Sequence, residues 1–176
     1  MPIGGVALQG AACKNCFIYE SRFCDITIVS DGSAVVGVWL RKVEVPGCDR
    51  GASALIDKAA AQLEEYFDGE RREFDLPLNP SGTPFQMAVW KELLAIPYGE
   101  TRSYKQIAQN IGNPKALRAV GMANNRNPIS IIIPCHRVIG SDGSLVGYGG
   151  GLDMKQKLLD LERGEGGRLP PLRNGL

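Results

Sequence analysis

The stretch NPSGTPFQ, residues 79–86, divides the chain, because Pro80, Gly82 and Pro84 interrupt every periodic pattern around them. Thr83-Pro84 then reads as a helix start, a capping residue followed by proline at the first helical position. At 176 residues the chain can bury one good core or two small ones, and this break favours two. The expected layout is a loose extension over 1–16, an α/β domain over 17–80, a second domain over 83–164 and a flexible tail over 165–176. Charge divides at the same place. Residues 1–82 hold 8 Lys/Arg against 12 Asp/Glu, whereas residues 83–176 hold 12 against 7. An acidic front and a basic back suggest that the second module faces something anionic. No apolar run approaches the ~20 residues that span a bilayer, and the N-terminus lacks the basic and apolar regions of a secretion signal. A cytoplasmic protein with no membrane partner is the expectation.

In the front half, Ile26 and Ile28, then Val36, Val38 and Leu40, recur at every second position on either side of Asp31-Gly32, a hairpin signal. Leu55, Ala59, Leu63 and Tyr66 follow at helical spacing, with Gly69 as a stop. RREFDLPLNPSG then predicts one more short strand. Five cysteines, at positions 13, 16, 24, 48 and 135, are an odd number and do not read as a disulfide framework in a cytosolic chain. Cys13 and Cys16 have the CxxC spacing of a zinc pair, which Cys24 and Cys48 would have to complete. No histidine accompanies them and the second pair is not a CxxC. Ordinary thiols or an accidental oxidation are expected, and no metal is assigned.

In the back half, Phe85, Val89, Leu93 and Ile96 share one helical face until Pro97. A second helix is expected from Ser103 to Gly112, and Asn113-Pro114 caps a third, KALRAVGMANN. Two short helices joined by a tight Gly-Asn-Pro corner match a helix-turn-helix. Lys105, Lys115, Arg118 and Arg126 make it basic. A strand carrying Cys135, a Gly-rich turn SDGSLVGYGGG and a last amphipathic helix LDMKQKLLDLE complete the half.

Within IIIPCHRVIG, residues 131–140, Cys135 stands beside His136, the only histidine of the chain. A cysteine in an apolar strand is more often packed than reactive. Neighbours on an ideal strand also point to opposite faces, so the two cooperate only if the backbone turns here. Pro134 allows such a turn. His136 can then take the thiol proton, directly or through a water, and Arg137 adds positive charge. A histidine in that role needs a carboxylate on its other nitrogen. The final helix offers Glu162, Asp160 and Asp153, and spacing does not choose among them.

IPCHRVIG, SYKQIA, GNPKALRAVGMANNRNP and GYGGGL together resemble the O6-alkylguanine-DNA alkyltransferase family, the methylated-DNA–protein-cysteine methyltransferases, from about Phe17 to Glu162. The resemblance implies an α/β fold: a small ribonuclease-H-like N-terminal domain and a winged-helix-like, helix-turn-helix C-terminal domain. It implies repair by irreversible transfer of an alkyl group from guanine O6 in DNA to Cys135, one turnover per molecule, without a cofactor. Thymine O4 adducts and the preferred alkyl size are left open. The partner would be alkylated double-stranded DNA, approached from the minor groove by a monomer that rotates the damaged base out of the stack.

By the same resemblance His136 deprotonates Cys135 through a water and Glu162 orients the histidine. Tyr104 assists base rotation and donates toward guanine N3. Arg118 enters the gap left by the base, with Lys115, Ala119, Asn124 and Arg126 completing the DNA-facing set. Asn127 ties the helix-turn-helix to the active-site strand. Pro134, Val138, Tyr148 and Gly149 line the pocket, Val138 through its backbone carbonyl. Two departures stand out: Gly149 where some members carry serine, and Asn124 where others carry methionine. A non-catalytic lesion-binding module, an alkylation-sensing transcription factor and a cysteine hydrolase are the competing readings. Transfer of alkyl mass to Cys135 separates the first two from repair, and repeated turnover would mark the third.

Overall fold

The structure, a computed structural model, describes residues 12–20, 24–165 and, as backbone, 173–174. It forms two compact units, one reaching Ser81 and including the C-terminal strand, the other beginning at Gly82. Among the described residues no helix is long and apolar enough to cross a membrane.

In the first unit the expected hairpin forms. Strand β2 (Ile26–Ser30) pairs antiparallel with β1 (Asn15–Glu20) and with β3 (Val35–Trp39). Asp31 closes the turn by accepting from the Ser33 and Ala34 amides. Every residue of β2 and β3 is buried, not only alternate ones. Successive side chains point to opposite faces, so both faces of the sheet are covered. Helix α1 (Ala54–Phe67), capped by Ser53, contributes buried Ile56, Ala59, Leu63 and Tyr66. Cys16, Val29, Val36, Trp39 and Val43 form a separate apolar cluster.

Several expectations in this unit give way to tertiary pairing. The strand expected in RREFDLPLNPSG shrinks to one parallel bridge, Val35 to Leu78, because Pro77 and Pro80 remove amide donors from its ladder. The 1–16 extension yields residues 15 and 16 to β1, and Lys14 donates its amide to Ser30. Strand β4 (Asp49–Arg50) runs parallel to β1 but covers only Asn15 and Cys16. The backbone groups left open further along β1 are taken by a two-residue strand at Arg173–Asn174, inside the segment expected to be a tail. The β1–β4 pairing also brings Cys13 to Cys48, 5.3 Å apart between Cα atoms, as a disulfide rather than two ordinary thiols. Cys16 is outside this bond, and no group of three or more metal-ligating side chains occurs among the described residues.

The second unit is helical. Helix α2 (Pro84–Leu94) starts at a Thr83–Gln86 capping box, and α3 (Tyr104–Asn110) at a Ser103–Gln106 capping box. Gly112, at φ +74°, makes the corner after α3, a backbone state that costs glycine least. Helix α4 (Leu117–Asn125) begins after the Asn113–Ala116 turn and not at Asn113. Pro114 lies inside that turn, which closes with the Ala116 amide on the Asn113 carbonyl. Fully buried Trp90 donates its indole N–H to the Ala123 carbonyl at 2.9 Å, locking α2 to α4. Strand β5 (Arg102–Ser103) pairs parallel with β6 (Val138–Ile139), and α5 (Leu152–Arg163) closes the unit.

Closing a loop of 35 residues with the Cys13–Cys48 bond stabilises by about 4 kcal/mol in the chain-entropy account. The double variant Cys13→Ser/Cys48→Ser is therefore expected to melt several degrees below the oxidised protein. Reductant should bring the native chain down to the same Tm, and equal melting of all three samples would show that the bond adds nothing.

Candidate active site

The IIIPCHRVIG segment does not run as a strand through Cys135. Residues Cys135–Arg137 form a 3-10 turn, and the strand begins only at Val138. The turn satisfies the condition set by the sequence, since adjacent Cys135 and His136 need not point to opposite faces. Upstream, Ile131 adopts φ +70°, the one positive φ outside glycine among the described residues. A β-branched residue there costs on the order of 1–3 kcal/mol and must be held by its surroundings. Asn127 does this: its carbonyl oxygen accepts from the Ile129 amide at 3.0 Å, and its Nδ2 donates to the Ile133 carbonyl at 2.7 Å. Its amide also stabilises charge on the Cys135 thiol.

His136 is fully buried, with Nε2 2.7 Å from Glu162 Oε1. This selects Glu162 from the three carboxylates of α5. Asp160 instead accepts from Gln156, and Asp153 is exposed. Glu162 is gripped from three sides. Arg137 donates Nε to Oε2 at 2.9 Å and Nη2 to Oε1 at 2.9 Å, and the Gly99 amide donates to Oε2 at 3.0 Å. Gly99 lies at φ +79° and so close that a Cβ would come within 3.2 Å of the Glu162 carbonyl oxygen. Arg137 continues to the Ile96 carbonyl at 2.6 Å and stacks 5.8 Å from the Tyr98 ring centroid. Its charge is therefore committed to Glu162 and is not the free cation beside the thiol that the sequence suggested.

The protonation states follow. Burial would raise the Glu162 carboxyl, but the His136 hydrogen bond and the Arg137 charge hold it down at about 2. Burial lowers the His136 pKa, only partly offset by Glu162, so the ring is neutral at neutral pH. With Nε2–H given to the carboxylate, Nδ1 carries the basic lone pair. Burial pushes the Cys135 thiol up to about 11. The resting sulfur is a thiol, and a base must take its proton when it reacts.

The remaining expected residues separate into two groups. Lys115, Arg118, Ala119 and Arg126 are exposed on and beside α4. Asn124 is not. It is 2% exposed, and its Nδ2 donates to the Cys135 carbonyl at 3.2 Å. Buried, it holds the nucleophile's peptide instead of facing a groove. Sequence reading also passed over Leu117 and Met122, exposed apolar residues at 44% and 55% that flank Arg118 on α4. Tyr104 opens α3 and donates its hydroxyl to the Val146 carbonyl at 3.0 Å, which brings it to the Gly-rich turn. Tyr148 is half-buried, Gly149 is exposed, and Pro134 is buried before the turn. The Val138 carbonyl accepts from Lys155 Nζ, a fully buried lysine that no sequence pattern singled out.

Glu162 has a folded pKa near 2 against an ordinary 4.5, so its stabilisation is present above 4.5 and lost as pH falls toward 2. The amount is about 3 kcal/mol. Glu162→Gln is expected to flatten the acid limb of a stability–pH curve measured by denaturant unfolding. An acid limb of unchanged slope would remove Glu162 as its cause.

Two family models match the chain: the ribonuclease-like domain of 6-O-methylguanine DNA methyltransferase over residues 16–80, and its DNA binding domain over 84–164. A methylated-DNA–protein-cysteine methyltransferase from Methanosarcina acetivorans is 59% identical over 149 residues, spanning 82% of this chain and 96% of the relative. One from Methanosarcina barkeri is 60% identical over 122 residues, spanning 69% and 77%. Among solved structures, Mycobacterium tuberculosis OGT in complex with DNA superposes with a TM-score of 0.81 at 46% identity, covering 86% of this chain and 94% of that one. The two models together span most of the chain, one on each unit, and the chain belongs to the 6-O-methylguanine DNA methyltransferase family.

Proposed function

We propose that this protein repairs DNA by accepting, on Cys135, the alkyl group of an O6-alkylguanine, once per molecule. The observation that carries the assignment is the 3-10 turn that sets Cys135 next to a neutral His136 backed by Glu162. His136 Nδ1 takes the thiol proton through a water, and Glu162 stabilises the imidazolium that forms. The sulfur attacks the alkyl carbon, an S–C bond forms, and the C–O6 bond breaks with its electron pair passing to the guanine. Tyr104 neutralises the leaving base at N3, exchanging the Val146 carbonyl for the base as hydrogen-bond acceptor. The thioether has no route back to a thiol, so the protein is consumed.

Cys135 is 4% exposed, which a duplex surface cannot reach and a single extruded base can. Exposed Arg118, between Leu117 and Ala119 and near Met122, supports a wedge entering the minor groove, where apolar side chains and an arginine replace an unstacked base. Every residue of the proposed site comes from one chain, so a monomer suffices. The lesion-binding and transcription-factor readings lose ground because the thiol, its base and the orienting carboxylate are all assembled. Readiness for transfer is what they would not require.

Incubation with duplex DNA containing O6-methylguanine is expected to add one methyl mass to Cys135, read by peptide mass spectrometry, with no second turnover. Binding without mass gain would overturn the proposal in favour of a lesion-binding module. Cys135→Ala should abolish transfer and retain DNA affinity. Arg118→Ala and Asn124→Ala should separate binding from chemistry. The first is expected to weaken DNA binding and the second to slow transfer about tenfold at unchanged affinity, for a lost buried hydrogen bond of about 1–2 kcal/mol. Weakened binding in Asn124→Ala would return that residue to the DNA surface.

A further inference from the structure

We infer that the side-chain oxygen of Asn124 accepts a hydrogen bond from the exocyclic amine of the extruded base. Asn124 is then a specificity-determining residue that favours O6-alkylguanine over adducts carrying no amine. This deepens the functional reading above and rests on it. Asn124 is 2% exposed, and its Nδ2 donates to the Cys135 carbonyl at 3.2 Å. A carbonyl accepts only from a donor, so that contact fixes which way the carboxamide points. Its Oδ1 is buried, and no donor reaches it among the described residues. A buried acceptor left unsatisfied costs free energy, and folded interiors ordinarily avoid it.

The neighbours of this oxygen say what it can meet. The Tyr104 ring packs over Gly121 of α4, where a Cβ would come within 4.0 Å of Cε1. Gly121 and Asn124 stand three residues apart on that helix and so share a face. Burial pushes the Tyr104 phenol up to about 12, and the Asn124 amide acts against that rise, as a neighbour of the hydroxyl does. The carboxamide thus stands between the Tyr104 hydroxyl and the Cys135 peptide, the two groups that border the base in the functional reading. Tyr104 addresses guanine N3, and the amine is bonded to the ring carbon next to N3. In an O6-alkylguanine that amine holds the only N–H of the base, whereas an O4-alkylthymine has none. Other acceptors nearby are already engaged. The Cys135 carbonyl takes the Val138 amide as well as Asn124, which fills both its lone pairs, and the Val146 carbonyl takes Tyr104 and Lys155. The Val138 carbonyl also receives Lys155. The Asn124 oxygen is the acceptor still open.

Single-turnover transfer would be measured on two duplexes that differ in one group, O6-methylguanine and O6-methylhypoxanthine, the second lacking the amine. The amine donates electrons into the ring, so its removal does not in itself slow departure of the base. The native protein is expected to transfer from O6-methylhypoxanthine about fivefold more slowly, as for one hydrogen bond lost from a buried acceptor. Asn124→Leu keeps the volume and removes both polar atoms, with its fold checked by thermal melting. Loss of the hold on Cys135 slows both substrates alike and cancels in their ratio. The guanine-to-hypoxanthine ratio should nevertheless fall about fivefold, to near one. Equal rates on the two substrates in the native protein would overturn the proposal. So would a ratio in the variant within about twofold of the native one, because an asparagine of purely structural value leaves the ratio unmoved. If Asn124→Leu does not fold, Asn124→Ala decides by the same ratio, and the native comparison holds without either. Absence of transfer from both duplexes by the native protein would instead overturn the functional reading on which this one stands.

Discussion

The carboxylate of Glu162 is the interaction on which the reactive centre depends. Buried in α5, it joins the Cys135 turn through His136 and Arg137 and the loop after α2 through the Gly99 amide. A bare carboxylate at that depth would be intolerable. With an arginine fork, an imidazole and a backbone donor around it, the charge is held and becomes structural. Its consequence is chemical: it fixes the histidine tautomer and thereby aims the basic nitrogen away from α5. Arg137 serves this carboxylate first, which leaves the electrostatics of the sulfur to other groups.

The second unit uses each helix for two purposes. Helix α4 shows Leu117, Arg118, Ala119 and Met122 to solvent, while Val120, Ala123 and Asn124 face inward. Through Asn124 the inward face reaches the peptide of Cys135, and through the Ala123 carbonyl it is fixed to Trp90. The exposed residues of α4 and the hold on the backbone of the nucleophile thus belong to one helix. Strain is confined beside them. Ile131 sits in a left-handed conformation that Asn127 stabilises with paired hydrogen bonds, and that kink turns the chain before Pro134. The first unit carries no residue of this site; its sheet is tied by β-pairing at both ends of β1 and by the Cys13–Cys48 bond.

Much of the fold was legible beforehand because its signals are local. Capping residues at Thr83 and Ser103, the Asp31-Gly32 turn, the Gly69 stop and the Gly112 corner each act over a few residues, and each element they predict is present. The misses involve partners distant in sequence. Prolines reduced the strand before Pro80 to one bridge with Val35, the open edge of β1 recruited Arg173–Asn174, and parallel pairing brought Cys13 to Cys48. None of these distances is written in the pattern of either segment alone.

For the site, the motifs IPCHRVIG, SYKQIA, GNPKALRAVGMANNRNP and GYGGGL carried the resemblance to a family and its chemistry, whereas spacing alone left Glu162, Asp160 and Asp153 open as partners of His136 until packing chose the first. Burial decided the rest. Asn124 and Arg118 lie on one helix, yet only packing sends one to the nucleophile and the other to solvent. Lys155 looks in sequence like any polar position of an amphipathic helix. Folded, it is a cation sealed inside the protein, because charge interactions are set by distance and dielectric, and the linear chain specifies neither until its core closes.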